Sequence, residues 1–157
     1  MTNTATEQSK SDQAAAIVRK HMLGSAAAGL VPIPGLNAGI VAGLQLRMLS
    51  KLADLYEVDF NEQRANAIIG TLAGVSVAST ATGFLRLIPG VGTALFGLAA
   101  ISLLPASTYA LGQLFIKHFE SGGTFLTFDE SRAQSEYSER LDEGRKLSEQ
   151  SYVGVKP

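Results

Sequence analysis

Three long stretches of this chain carry no charge: Met22 to Leu46, Ala65 to Leu85 and Leu87 to Ile116. A helix on the surface of a soluble bundle needs a polar face, and these stretches offer none. Two Pro-Gly breaks divide them. Pro32-Ile33-Pro34-Gly35 interrupts the first stretch, and Pro89-Gly90 follows Arg86 between the second and third. A break of this kind in an apolar helical pattern predicts the tip of a helical hairpin, because proline removes a backbone donor and cannot continue the preceding helix. The expected fold class is therefore all-α: a membrane-embedded protein of two helical hairpins, each helix–Pro-Gly tip–helix, plus a polar C-terminal helix.

The hairpins set the expected organisation. Residues 1–11 are polar and predicted disordered, 12–128 form the membrane hairpin domain, and 129–157 form a cytoplasmic charged tail. Asp12 is the expected cap of the first helix, which the two prolines end. The second helix is predicted from Leu36 to Tyr56, and the third from about Glu62 to Leu87 after an Asp59 or Asn61 cap. A fourth continues from Pro89-Gly90 to about Phe119, kinked at Pro105. The 21 uncharged residues between Arg64 and Arg86, at about 1.5 Å each, roughly match a hydrocarbon core of about 30 Å. Met22 to Val31 is only about 15 Å of helix, so the first hairpin is either re-entrant or crosses with Arg19 and Lys20 reaching back to the head groups. Thr124 to Phe128 reads as a short, extended apolar anchor.

Charge placement orients these segments. Arg19, Lys20, Arg47, Lys51, Arg64 and Lys117 lie at the N-terminal end, the connector and the start of the tail, while the tips hold only Arg86. The positive-inside rule then predicts that both termini are cytoplasmic. A net charge of −1 gives no basic excess for nucleic acid. The chain has no cysteine, which removes disulfides, thiol catalysis and thiolate metal sites.

Two residue sets stand out within the apolar stretches. Gly35, Gly39 and Gly43 lie four apart on one face of the second helix, and Gly70 and Gly74 do the same on the third. Small faces let backbones approach closely in lipid, within a chain or between copies in a homo-oligomer. The polar residues Asn37, Ser76, Ser79 and Thr80 either hydrogen-bond to neighbouring helices or line a pore. No phosphate loop, metal-ligand spacing or Ser/His/Asp arrangement can be argued, so neither an enzyme nor a cofactor is expected. The tail from Asp129 to Gln150 mixes signs and carries a thin stripe of Ala133, Tyr137, Leu141 and Leu147, which reads as a solvated helix or a docking helix for another subunit or a cytosolic partner.

The ordered motifs Leu30-Val31-Pro32-Ile33-Pro34, Gln45-Leu46-Arg47-Met48, Leu52-Ala53-Asp54-Leu55-Tyr56, Ile88-Pro89-Gly90-Val91-Gly92-Thr93, Thr108-Tyr109-Ala110-Leu111-Gly112 and His118-Phe119-Glu120-Ser121-Gly122-Gly123-Thr124 resemble the membrane domain of YcjF-like, GTPase-associated inner-membrane proteins, a family of unknown function. Asn37 stands where that family typically has Asp, and Glu57 where Gly usually follows the Leu-Tyr pair. The resemblance implies a bacterial inner-membrane helical domain, with any GTPase acting in trans. The expected function is a non-enzymatic membrane scaffold or adaptor that self-associates through its glycine faces. An oligomeric channel and a conditionally inserting helical protein are the alternatives.

Overall fold

A computed structural model of the chain describes the backbone of residues 2–30, 36–78 and 92–153, with side chains described over 6–30, 36–74 and 102–150. Both hairpin tips (Pro32, Pro34 and Gly35; Pro89 and Gly90), together with Ser79 and Thr80, lie outside the described residues. Five helices follow one another, and no strand occurs among the described residues: α1 (Thr2–Gly29), α2 (Leu36–Tyr56), α3 (Glu62–Ala78), α4 (Gly92–Glu120) and α5 (Glu130–Val153). The chain is all-α.

Local chemistry places the helix ends. Asn61 caps α3 by accepting the Arg64 amide on its side-chain oxygen at 2.9 Å. Asp129 caps α5 by accepting the amides of Ser131 and Arg132 at 3.0 and 3.2 Å. The C-termini of α2 and α4 share one closure. Val58 N–H donates to Ala53 O and Glu57 N–H to Asp54 O; Gly123 N–H donates to His118 O and Gly122 N–H to Phe119 O. Each closure puts one residue in the left-handed region, Gly122 at φ 82° and Glu57 at φ 58°. Gly122 adopts it without strain. Glu57 carries a Cβ and does not.

α4 is the central helix. α1, α2 and α5 pack along it, and α3 leans on α5, α2 and α4. The core is built from Val18, Met48, Leu49, Leu52, Ile68, Leu72, Leu111 and Phe115. At one end an aromatic cluster closes it: Phe115 stacks on Phe128 at 4.7 Å, Phe125 lies 5.4 Å from both Phe60 and Phe119, and His118 meets Phe128 edge-on at 5.1 Å.

Several expectations change. α1 begins at Thr2, ten residues before the Asp12 cap and within the stretch expected to be disordered; no Pro or Gly interrupts residues 2–23, so nothing local ends the helix there. Residues 125–127 form a turn rather than an extended anchor, because Phe125 and Phe128 both point into the aromatic cluster and leave Leu126 outside. The tail is not a separate solvated helix. α5 docks on α4 of its own chain through Tyr137, Leu141 and Gly144, with Ser148 also buried, while Leu147 is exposed. Over the described residues no helix is long and apolar enough to cross a membrane. That differs from the two full spans expected of α3 and α4. The described part of α3 ends at Ala78, and the 103–119 half of α4 lies against α1, α2 and α5 rather than against an open apolar face.

Candidate functional site

The α1–α2–α4 seam explains what the uncharged stretches bury. Ala14, Val18, His21, Ser25 and Ala28 of α1 are buried, three or four residues apart on one face. α2 turns in Asn37, Val41, Gln45, Met48, Leu49 and Leu52. The polar members meet α4 side chains. Ser25 Oγ lies 2.7 Å from Thr108 Oγ1. Gln45 Nε2 donates to Ser107 Oγ at 3.1 Å and to Thr108 Oγ1 at 3.2 Å. Both α4 hydroxyls donate to Leu104 O. One proton arrangement satisfies the whole group: Ser25 donates to Thr108, and Gln45 uses its two amide hydrogens on the two hydroxyls. Among the described residues no buried side-chain nitrogen or oxygen lacks a partner. The cluster therefore closes on itself.

Of the residues expected to line a pore, Asn37 is buried and its side-chain oxygen accepts the Ala38 amide at 2.8 Å. Ser76 belongs to α3, with its side chain outside the described residues. The expected packing glycines behave alike: a Cβ at Gly39, Gly43, Gly70 or Gly74 would meet nothing within 4 Å. Among the described residues nothing packs against these rows; Gly35 lies outside the described residues. Close backbone approach occurs elsewhere. A Cβ at Gly112 would stand 2.5 Å from Val18 Cγ2, and one at Gly144 would stand 2.9 Å from the Ala106 Cα. Sequence reasoning missed both, although each is a lone glycine inside a helical pattern, a costly placement that calls for a packing reason.

The basic residues used to orient the chain divide into two groups. Arg64 is bound up in the fold: it donates to Phe125 O and Phe128 O and pairs with Glu130 at 2.6 Å. Lys117 pairs with Glu136 at 2.8 Å. Arg19, Lys20, Arg47 and Lys51 are exposed, and none is in an ion pair among the described residues. They share the outward face of α1 and α2 with large apolar side chains. Leu23 is 64% exposed, Leu30 65%, Leu36 49% and Ile40 40%.

Two clefts open at the aromatic end. One of about 510 Å³ lies between the end of α2 and residues 122–126, with Tyr56, Glu57, Asp59, Phe60 and Phe125 in its wall. There the Tyr56 hydroxyl donates to Glu120 at 2.9 Å, and burial, then that bond and the carboxylate's charge, push the phenol well above its ordinary value. The second, of about 320 Å³, is walled by Lys117, His118, Phe128, Arg132 and Glu136. His118 Nε2–H donates to Thr124 O at 2.9 Å. Among the described residues no group of three His, Asp or Glu side chains could hold a metal ion.

The chain is similar to magnetosome membrane protein 22 of Magnetospirillum gryphiswaldense, at 31% identity over 137 residues, which cover 84% of this chain and 70% of that protein. No protein-family model matches the chain, and no solved structure matches it.

Proposed function

The chain belongs to the family of magnetosome membrane protein 22, and on that premise we propose that it is a non-enzymatic, membrane-associated scaffold whose α1–α2 hairpin is the part that meets the bilayer. One observation carries this reading: four large apolar side chains, Leu23, Leu30, Leu36 and Ile40, are exposed on a hairpin that has no charge from Met22 to Leu46. An exposed apolar surface of this kind marks a membrane or protein contact. The relative's name, a magnetosome membrane protein, favours the membrane. Transferring the exposed parts of these four side chains out of water is worth roughly 4 kcal/mol, enough for reversible attachment.

The uncharged end of α1, Met22 to Gly29, is about 12 Å of helix and reaches into one leaflet. Partial entry fits a chain in which no described helix is long and apolar enough to cross. α5 favours the conditional form of insertion. It covers Ala106 and Tyr109 of α4 and exposes charged residues outward, so deeper entry of α4 would require α5 to leave. On this reading the protein sits on the bacterial inner membrane with both termini on the cytoplasmic side. A cytosolic partner, including the GTPase that the resemblance implies, has room on the outer face of α5. The open rows Gly39–Gly43 and Gly70–Gly74 are the surfaces proposed for homo-oligomer contact. The closed hydrogen bonding of Ser25, Gln45, Ser107 and Thr108 supports a scaffold over a channel through this seam.

Flotation of the full chain with liposomes tests the reading. The wild type should float, and Leu36→Asp/Ile40→Asp should lose most of its binding to vesicles of any charge. Equal flotation of the two proteins would sink it. Gly39→Leu should lower the particle mass measured by light scattering in detergent; an unchanged mass would remove self-association through α2.

A further inference from the structure

We infer that Arg19, Lys20, Arg47 and Lys51 form a basic collar around the apolar hairpin that binds the phosphates of anionic phospholipids. The inference rests on the reading that the hairpin meets the bilayer, and adds the class of lipid it recognises.

Helical periodicity puts all four cations on the outside. With Val18, His21 and Ser25 turned inward, Arg19 and Leu23 fall on the outward face of α1. With Val41, Gln45, Met48 and Leu52 inward, Ile40, Arg47 and Lys51 fall on the outward face of α2. The seam fixes how the two helices line up. Ser25 and Gln45 reach the same Thr108 hydroxyl from antiparallel helices, so Arg19 and Lys20 lie level with Lys51, and Leu23 lies level with Arg47. The cations thus occupy a band about 6 Å deep, with Arg47 and Leu23 at its edge nearer the tip. Leu30, Leu36 and Ile40 lie above it, towards the tip. Eleven residues separate Arg19 from Leu30, about 16 Å of helix, close to the hydrocarbon depth of one leaflet. When the apolar tier is immersed, the basic tier stands at the head groups.

Charge complementarity selects anionic lipid. The four cations lack ion-pair partners among the described residues, while Arg64, Lys117 and Arg132 each have one and Arg140 has two. The acids nearest the tier, Asp12 and Asp54, both lie on its far side from the tip. The acid excess sits elsewhere: residues 129–150 hold seven Asp and Glu against four Lys and Arg, on a helix that packs on α4 and α3 and not on the outward face of the hairpin. An anionic surface would therefore attract α1 and α2 and turn α5 away.

The test is partitioning of the full chain onto vesicles of phosphatidylcholine alone and of phosphatidylcholine mixed with phosphatidylglycerol. Each cation near an anionic surface strengthens binding about fivefold, so Arg47→Gln/Lys51→Gln should weaken binding to the anionic vesicles by roughly 30-fold at low salt and leave binding to neutral vesicles unchanged. Salt should erase the wild type's preference, because the attraction is screened beyond about 10 Å at 0.1 M. Both side chains are exposed and in no ion pair among the described residues, so the variant should keep the wild-type circular dichroism and melting temperature. Wild type that binds both vesicles equally, or a variant that keeps full affinity for the anionic ones, overturns the collar while leaving hairpin attachment standing. Binding to neither vesicle overturns both.

Discussion

Gly112→Ala tests the packing at the centre of the fold. A Cβ at position 112 would stand 2.5 and 2.8 Å from the two γ carbons of Val18 and 3.2 Å from its Cβ. Comfortable carbon contacts lie at about 3.5–4.0 Å, so α1 and α4 must part by about 1 Å. Val18 cannot rotate out of the way, because both its γ carbons already face the glycine and its β-branch restricts χ1. Such overpacking costs about 1–3 kcal/mol. Parting the helices also stretches the 2.7 Å Ser25–Thr108 hydrogen bond one turn along α4, which adds about 1 kcal/mol. Against this, Ala gains about 1 kcal/mol of helix propensity over Gly. The net expectation is a loss of about 1–3 kcal/mol. Val18→Ala alone should cost about 2 kcal/mol through its cavity. The double variant should be more stable than the sum of the two changes implies, by about 1 kcal/mol or more, since the new methyl fills the space that Val18 vacates. Urea unfolding of the full chain, followed by far-UV circular dichroism, measures all three. Gly43→Ala is the comparison: nothing stands within 4 Å of a Cβ there, so it brings the propensity gain without overpacking within the chain. A Gly112→Ala protein as stable as wild type, or strictly additive variants, would refute the close approach of α1 to α4.

Other outcomes follow from single residues. Thr108→Val keeps the shape but leaves Ser25 and one Gln45 amide hydrogen without their partner, which should cost about 1–3 kcal/mol in the same unfolding assay. Glu57→Gly relieves a left-handed residue at the end of α2 and should stabilise by up to about 1 kcal/mol. Tyr56 has its phenol pKa raised by burial, then by Glu120, so its contribution is full below the unfolded value near 10 and is lost as pH rises through the folded value. Wild type should therefore lose stability above about pH 10 more steeply than Tyr56→Phe in paired denaturant titrations.

Helix boundaries were legible where local chemistry sets them. α2 runs from Leu36 to Tyr56, as the pattern predicts, α3 starts after Asn61, and α5 starts after Asp129. Facing was not legible. In α1 the buried side includes His21 and Ser25, while Leu23 and Leu30 point outward, so hydropathy reads the helix inside out. An uncharged helix gives no polar face from which to judge. The pairing of Val18 with Gly112 joins residues far apart in the chain, and no local signal carries it. In α5 the stripe runs through Gly144 and Ser148, and the eye follows Leu147 because glycine and serine do not look like core. The aromatic cluster hid for the opposite reason: its phenylalanines are visible, but the turn that drives Phe125 and Phe128 inward depends on α3, through Arg64.

On the proposed function, the outward face of the α1–α2 hairpin enters the bilayer while α5 stays in water. Because the chain has no cysteine, single spin labels at Leu36→Cys and Asp142→Cys, compared by power saturation on anionic vesicles, test it directly. The Leu36 label should be exposed to oxygen and shielded from a water-soluble nickel chelate, with the reverse at Asp142. Two labels equally open to the chelate would contradict it.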